Sequence, residues 1–158
     1  MMGKVLVAYF SASGVTAALA ERLAKAIGAD IHEIAPETPY TDADLNWRDK
    51  GSRSTVEMND RSSRPPIGND MDVGPYDTVF VGFPVWWYRE PSIIDTFAES
   101  HDFKGKRIIP FATSGGSDIG QSGENIGRLA AGAEVLKGKR FPRNASESEL
   151  KSWAEPLI

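Results

Sequence analysis

The sequence predicts an α/β fold, an open parallel sheet of five strands with helices packed on both faces. Two observations support this prediction. Short apolar segments rich in β-branched residues recur along the chain, as strands buried on both faces do, and segments with helical spacing of apolar residues alternate with them. The chain has 158 residues, a length that suits one domain over residues 1–158 with a full hydrophobic core.

The chain opens with a predicted βαβ unit. Lys4–Phe10 is almost continuously apolar, and the small polar turn Ser11–Gly14 follows it. Apolar residues then recur at helical spacing up to Gly28, a residue that suits the end of a helix. Asp30–Ile34 is a second, shorter strand, and the order strand, helix, strand predicts a right-handed crossover.

The segment 36–74 is the least regular part of the sequence and contains four prolines. We treat it as an insert between the second and third strands. Asp44–Lys50 and Ser54–Asp60 are expected to form short helices. Trp47 is expected to pack on a neighbour, because an indole ring is costly to expose. Arg64–Ile67 is predicted to be an extended return path, since residues before proline avoid the helical region.

The third strand is predicted at Tyr76–Phe83. An aromatic loop, Pro84–Glu90, follows it, and Pro91 suits the first position of an amphipathic helix. Lys106–Ala112 is predicted as the fourth strand. Within it, Pro110 either weakens the assignment or marks a bulge, because proline has no N–H to donate to the ladder.

The last third of the sequence completes the alternation. Thr113–Gly120 is a Gly/Ser loop, Glu124–Ala131 is helical, and Glu134–Phe141 contains the fifth strand. Ser146 and Glu149 have the capping-box spacing that opens a terminal helix.

Composition and charge exclude several classes of function. Without cysteine, the chain has no disulfide framework, thiolate metal site or thiol nucleophile. The net charge of −4 argues against nucleic-acid binding as the main task. The charge is uneven, because acidic residues dominate up to residue 103 while nine Lys and Arg face six Asp and Glu from residue 104 on. Such asymmetry could orient a charged partner.

The sequence also predicts a cytoplasmic protein without a metal. No apolar run approaches the ~18 residues that a membrane span needs, and the start of the chain has no signal-peptide pattern. His32 and His101 lie far apart in the sequence and make a poor pair of metal ligands.

Three loops should meet at the carboxyl edge of the sheet, where open parallel sheets bind ligands. The first combines hydroxyl groups with a helix N-terminus, whose N–H groups bind anions. The second presents adjacent aromatic side chains to a planar ligand, and the third exposes backbone polar groups. The candidate binding residues are Ser11, Ser13, Gly14, Val15 and Thr16 in the first loop, Pro84, Val85, Trp86, Trp87 and Tyr88 in the second, and Thr113, Ser114, Gly115, Gly116 and Ser117 in the third.

Each loop taken alone also has a purely structural interpretation. The first lacks Lys and Arg, which excludes a Walker A nucleotide site and leaves a terminal phosphate or plain helix capping open. The aromatic residues could cover the sheet edge or an oligomer interface, and the third could be a flexible loop. Asp118 is expected to cap the following helix rather than contact a ligand, while Tyr88 and Arg89 are placed to meet a substrate.

Together the three loops resemble those of the flavodoxin-like family, which binds FMN, and in particular its short bacterial flavodoxin-domain proteins. Ser11–Thr16 is similar to the family's phosphate loop, Gly82–Trp87 to its first flavin-ring loop and Thr113–Ser117 to its second. The resemblance covers nearly the whole chain. It implies a flavodoxin-like sheet with the strand order 2-1-3-4-5, noncovalently bound FMN, and a role as an oxidoreductase or electron-transfer protein.

Two departures from electron-carrier flavodoxins keep the type of redox chemistry open. The chain is less acidic than those carriers, and Pro84–Glu90 contains no glycine. The Phe-Pro-x-Trp-Trp order at Phe83–Trp87, with Pro91 beyond it, is similar to flavin quinone reductases of the same fold. An NAD(P)H-dependent quinone or flavin reductase is therefore the alternative, and a non-redox module that binds a phosphate ligand is a third.

The resemblance also bears on partners. It implies either a redox partner protein or NAD(P)H together with a quinone-like small molecule, and it leaves a homodimer open. Tyr40 or Trp47 from the insert is expected to fold over the flavin or to form a dimer contact, since these aromatic side chains need cover.

Overall fold

Strands and helices alternate along the computed structural model, which describes residues 4–114 and 116–158. The strands are β1 (Lys4–Tyr9), β2 (Asp30–Glu33), β3 (Tyr76–Pro84), β4 (Arg107–Thr113), β5 (Glu134–Val135) and β6 (Lys139–Phe141). The helices are α1 (Val15–Ile27), α2 (Arg53–Asn59), α3 (Ser92–Ser100), α4 (Ser122–Leu129) and α5 (Glu147–Ala154), followed by a 3₁₀ turn at Glu155–Leu157.

The strands form one parallel sheet in the order β2-β1-β3-β4-β5, with β6 also paired to β4. This confirms the predicted class and strand order. The predicted fifth strand is divided, because β5 pairs with Arg107 and Ile108 and β6 pairs only from Phe111 on. Pro110 lies at the gap, where it has no N–H to donate, and its carbonyl would be 2.5 Å from a Cβ on Gly138. The interruption takes the place of the bulge expected at Pro110.

Both faces of the central strands β1, β3 and β4 are covered, which explains why these strands are mostly apolar and buried. On β1, Leu6 and Ala8 belong to the core that packs against α3 and α4. Val7 and Tyr9 belong to the opposite core, which packs against α1 and α5. With both faces buried, the loops at the carboxyl edge are the place where a ligand meets the sheet.

Two helix ends follow the signals in the sequence, and the start of α3 departs from them. Gly28 ends α1 in the left-handed region at φ 66°. Ser146 Oγ accepts a hydrogen bond from Glu149 N (3.1 Å) at the start of α5. Pro91 precedes α3 as its N-cap in extended backbone, so the prediction that it is the first helical residue was wrong by one position. Within residues 4–114 and 116–158, none of the helices has the length and apolar character that a bilayer crossing requires.

The segment 36–74 departs most from the prediction. Residues 44–50 form turns rather than the expected helix, whereas the second expected helix is present as α2. The side chains of Asp44, Asn46 and Asp49 each accept a hydrogen bond from a backbone N–H within three residues. Such local hydrogen bonds compete with those of a helix, and this segment therefore forms turns.

Two further expectations for the insert had opposite outcomes. Trp47 is 67% exposed, so the prediction that it packs on a neighbour was wrong, although the Arg48 guanidinium lies 5.0 Å from its ring centre. The return path at Arg64–Ile67 is confirmed, since Ile67 forms an antiparallel bridge with Pro36.

A side chain at Gly82 should disrupt the centre of the sheet. A Cβ there would lie 2.2 Å from Cζ of Phe111, which is fully buried on the neighbouring strand. Gly82→Ala should therefore lower the free energy of unfolding by about 1–3 kcal/mol in a urea titration. Gly51→Ala is the matched control, because its Cβ would make an ordinary 3.5 Å contact with Asp49. Equal stability of the two variants would contradict the packing described.

Candidate functional site

The three predicted loops meet at the carboxyl edge of the sheet around one cavity of about 610 Å³, a size typical of small-molecule sites. Its wall includes Ser13 and Val15 from the first loop, Pro84, Val85 and Trp86 from the second, and Thr113, Ser114 and Ser117 from the third. The other described candidates are not among the residues that line this cavity: Ser11, Gly14, Thr16, Trp87, Tyr88 and Gly116. Gly115 lies outside the described residues.

The first loop presents a helix N-terminus to the cavity. Gly14 is the N-cap of α1 at φ 91°, and within the described chain no side chain caps this helix. Ser11 Oγ accepts a hydrogen bond from Gly14 N (3.1 Å) and so shapes the turn. N–H groups of the first helical turn have no acceptor within the helix, and together with the helix dipole they suit an anion.

A buried hydrogen bond ties the first loop to the third. Thr16 is 1% exposed, and its hydroxyl lies 2.7 Å from that of Thr113. Beyond it, the Ser114 hydroxyl donates to the Ser117 carbonyl within the third loop. The side chain of Thr16 thus holds two loops together.

The second loop is a two-residue hairpin turn. Trp86 and Arg89 exchange two backbone hydrogen bonds, of 3.0 and 3.1 Å. Between them Trp87 (φ 47°) and Tyr88 (φ 65°) both adopt left-handed backbone, the pattern of a type I′ turn that Asn-Gly normally occupies. The loop without a glycine therefore places aromatic residues where glycine is favoured, a strain that is typical of functional sites.

The turn divides its aromatic side chains between the core and the surface. The Trp86 ring packs edge-on against Phe10 and Tyr40, with ring centres 5.5 Å apart in both pairs. Trp87 is 38% exposed and Tyr88 79%. One aromatic side chain thus points inward and two lie at the surface.

A second, smaller cavity of about 380 Å³ adjoins the first and shares Val85, Trp86 and Ser117 with it. Its other lining residues are Leu45, Trp47, Trp87 and Tyr88. The insert at 36–74 therefore contributes one wall of this aromatic cavity. Tyr40 lies deeper, where its hydroxyl donates to the Glu57 carboxylate and its ring supports Trp86.

A buried polar network lies beneath the turn. Arg89 is 6% exposed, donates to the Met58 carbonyl (2.9 Å) and lies 3.4 Å from the Asp95 carboxylate. The expectation that Arg89 meets a substrate was wrong, because its guanidinium is used inside the protein. Glu90 is also buried and accepts a hydrogen bond from Asn125 (3.0 Å).

Asp95 is the strained member of this network. One of its carboxylate oxygens is buried without a hydrogen-bond partner. Burial, and then the neighbouring Glu90 carboxylate, raise the pKa of Asp95 to about 8, which favours the protonated form. The sequence analysis did not identify Glu90 and Asp95 as a buried acidic pair, although an aspartate inside the apolar stretch Ile93–Phe97 is a usable signal.

Two arginines on the cavity wall were also missed. Arg140 and Arg143 line the 610 Å³ cavity. Arg140 donates through Nε to Ser114 Oγ (3.2 Å) and through Nη2 to the Ser114 carbonyl (3.0 Å). Arg140 lies near the end of the fifth predicted strand and Arg143 follows it. The rule that ligands bind at the carboxyl ends of parallel strands would therefore have identified both residues.

Other titratable candidates lie outside the site. Asp118 accepts a hydrogen bond from Ile119 N (2.8 Å), and the N-cap of α4 is Gln121, so the expectation that Asp118 caps this helix was wrong. His101 bonds to Asp70 (2.7 Å) and the Phe97 carbonyl (2.9 Å) and is a packing residue. Among residues 4–114 and 116–158 no group of side chains has the arrangement of a metal site.

Comparisons with known proteins agree with this geometry. The flavodoxin family model matches residues 4–157. A candidate flavoprotein from Bacteroides eggerthii has 46% sequence identity, a TM-score of 0.92 and coverage of 99% of this chain and 98% of its own. One from Bacteroides uniformis has 46% identity, a TM-score of 0.91 and coverage of 98% and 99%.

A more distant structure shares the fold. It is a flavoprotein from Lactobacillus acidophilus in complex with FMN, with 21% identity, a TM-score of 0.71 and coverage of 98% of this chain and 100% of its own. No curated protein sequence matches the chain significantly.

The raised pKa of Asp95 predicts an unusual pH dependence of stability. Between its ordinary pKa of 3.8 and about 8, the folded state keeps a proton that the unfolded state releases. The free energy of unfolding should therefore fall as pH rises through this window, by at most about 1.4 kcal/mol per pH unit from this group. Asp95→Asn keeps a neutral side chain of the same shape, so its stability should exceed that of the wild type by more at pH 8 than at pH 5.

Urea titrations at pH 5, 6.5 and 8 measure this difference. Asp77→Asn is the control, because Asp77 is exposed on β3 and its loss should leave the wild-type pH dependence unchanged. Parallel pH curves for Asp95→Asn and the wild type would show that Asp95 does not hold the proton.

Proposed function

The chain belongs to the flavodoxin family, and from that membership we propose that it binds FMN noncovalently and acts in redox chemistry through it. The observation that carries this proposal is the single cavity to which all three loops contribute. A helix N-terminus without a side-chain cap, an aromatic turn and a polar loop are the three kinds of surface that a phosphorylated, planar, polar-edged cofactor needs.

The residues present fit the parts of FMN. N–H groups at the start of α1, with the hydroxyls of Ser11 and Ser13, would bind the phosphate. Trp86, Trp87 and Tyr88 offer apolar area to the ring system, while Thr113–Ser117 offers backbone groups to its polar edge. The buried bond between Thr16 and Thr113 fixes the distance between the phosphate loop and the ring loop.

The division of labour in such a site is simple. FMN supplies electron and hydride transfer, and the protein binds it, orients it and excludes water. The aromatic turn would shield one side of the ring, and the network around Arg89 would hold the turn in place.

One observation favours a reductase over an electron carrier. The 380 Å³ aromatic cavity adjoins the proposed flavin site and has no charged residue on its described wall, so it suits a neutral planar molecule of the quinone class. A reductase would take a hydride from NAD(P)H and pass two electrons to the quinone, whereas a carrier would exchange electrons with a partner protein.

Calorimetric titration of the apo-protein tests the cofactor directly. We expect tight binding of FMN, weaker binding of riboflavin, which lacks the phosphate, and much weaker binding of inorganic phosphate. Heat from phosphate alone, with none from FMN or riboflavin, would favour a non-redox phosphate module and end the proposal.

An activity assay distinguishes the reductase from the carrier. Sustained oxidation of NAD(P)H that requires a naphthoquinone would identify the reductase, and the absence of such oxidation would favour the carrier.

The strained turn allows a sharper test. Replacing Trp87→Asn and Tyr88→Gly together installs the preferred type I′ pair. Relief of the left-handed strain should raise the free energy of unfolding by about 1–2 kcal/mol. Loss of two aromatic faces should weaken FMN binding about tenfold, or about 1.4 kcal/mol.

Urea titration and fluorescence titration with FMN measure the two effects. Trp87→Phe is the control, since it keeps an aromatic ring and the strained backbone, and both quantities should stay near the wild-type values. A stabilised double variant with undiminished FMN affinity would remove the turn from the binding site.

A further inference from the structure

The charge of the cavity wall is a separate observation from its shape. Among the described residues that line the 610 Å³ cavity, the charged side chains are Arg140 and Arg143, and no carboxylate is among them. This is unexpected in a chain whose net charge is −4. A bound group that becomes more negative during the reaction would therefore meet a positive local potential.

We propose that Arg140 is a redox-tuning residue, whose guanidinium stabilises the negative charge that bound FMN gains on reduction. This rests on the proposed function. Reduction of the oxidised ring by two electrons with uptake of one proton leaves one additional negative charge on the ring. A cation on the cavity wall binds that product more tightly than the oxidised cofactor, and so raises the two-electron potential.

Arg140 is held in place for this task. Its two hydrogen bonds to Ser114 fix the guanidinium on the loop proposed to face the polar edge of the ring. These bonds use an uncharged hydroxyl and a carbonyl, and no ion pair of Arg140 occurs among residues 4–114 and 116–158. The phosphate has its own partners in the N–H groups of Ser11–Thr16, a segment without Lys or Arg.

The expected size of the effect follows from Coulomb's law. At an effective dielectric constant of about 20, two unit charges about 12 Å apart interact by about 1.4 kcal/mol, or tenfold in affinity. A tenfold change in the ratio of reduced to oxidised affinity corresponds to about 30 mV for a two-electron couple. Any ring bound within the cavity that Arg140 lines should therefore respond measurably.

Arg140→Gln removes the charge and keeps a side chain able to bond with Ser114, and Arg140→Lys keeps the charge. Arg107→Gln is the matched control, because Arg107 is exposed at the opposite end of β4, about 20 Å from Thr113 at ~3.3 Å per residue, and salt at about 0.1 M largely screens an exposed charge at that distance. The measurements are the two-electron midpoint potential by reductive titration with dithionite against a reference dye, and the dissociation constants of oxidised FMN and riboflavin. Far-UV circular dichroism of each variant checks that it is folded.

For Arg140→Gln we expect a potential lower by about 30 mV, with the affinities for oxidised FMN and riboflavin changed by less than about threefold. Arg140→Lys and Arg107→Gln should match the wild type. Unchanged potentials would overturn the proposal. A loss of affinity confined to oxidised FMN, with riboflavin binding intact, would also overturn it and assign Arg140 to the phosphate. A wild-type protein that binds no FMN would instead end the proposed function itself.

Discussion

Trp87 and Tyr88 hold left-handed backbone angles that neither residue favours, so the aromatic turn depends on contacts outside itself. Arg89 provides the contact from below, where its buried guanidinium joins a carbonyl of α2 to a carboxylate of α3. Gly120 provides clearance at the side, because a Cβ there would lie 2.6 Å from the Tyr88 carbonyl oxygen. The position of the turn, and with it the shape of both cavities, therefore follows from a polar network beneath it and a missing side chain beside it.

The sequence was sufficient for the sheet and for the convergence of the loops, and insufficient where polar side chains act locally. Continuous apolar runs such as Lys4–Phe10 are typical of strands buried on both faces, and that burial determines which edge collects the loops. The helix predicted at residues 44–50 was wrong, because the spacing of apolar residues does not show whether short polar side chains will accept hydrogen bonds from nearby backbone N–H groups. Arg89 and Asp95 were not identified for a different reason, since the contact between these two buried side chains depends on the tertiary approach of α3 to the turn.

The insert at 36–74 contributes residues to the candidate site. Its Tyr40 ring supports Trp86 from behind, and Leu45 and Trp47 form one wall of the smaller cavity. A long connection that carries its own aromatic residues is what a loop with a binding role requires.

The net charge of a chain is a poor guide to the electrostatic potential inside a binding site, as the charged residues on the two sides of the aromatic turn show. On the cavity side the described charged residues are arginines. On the inner side Glu90 and Asp95 form a buried acidic pair. A second negative charge on this pair is disfavoured, because burial raises the pKa of Asp95 to about 8. An electron carrier of low potential benefits from acidic surroundings that oppose charge on the reduced cofactor. Under the proposal for Arg140, a cavity lined by arginine would act in the opposite sense and favour the fully reduced cofactor, which is the state that a two-electron reductase must reach before it meets its acceptor.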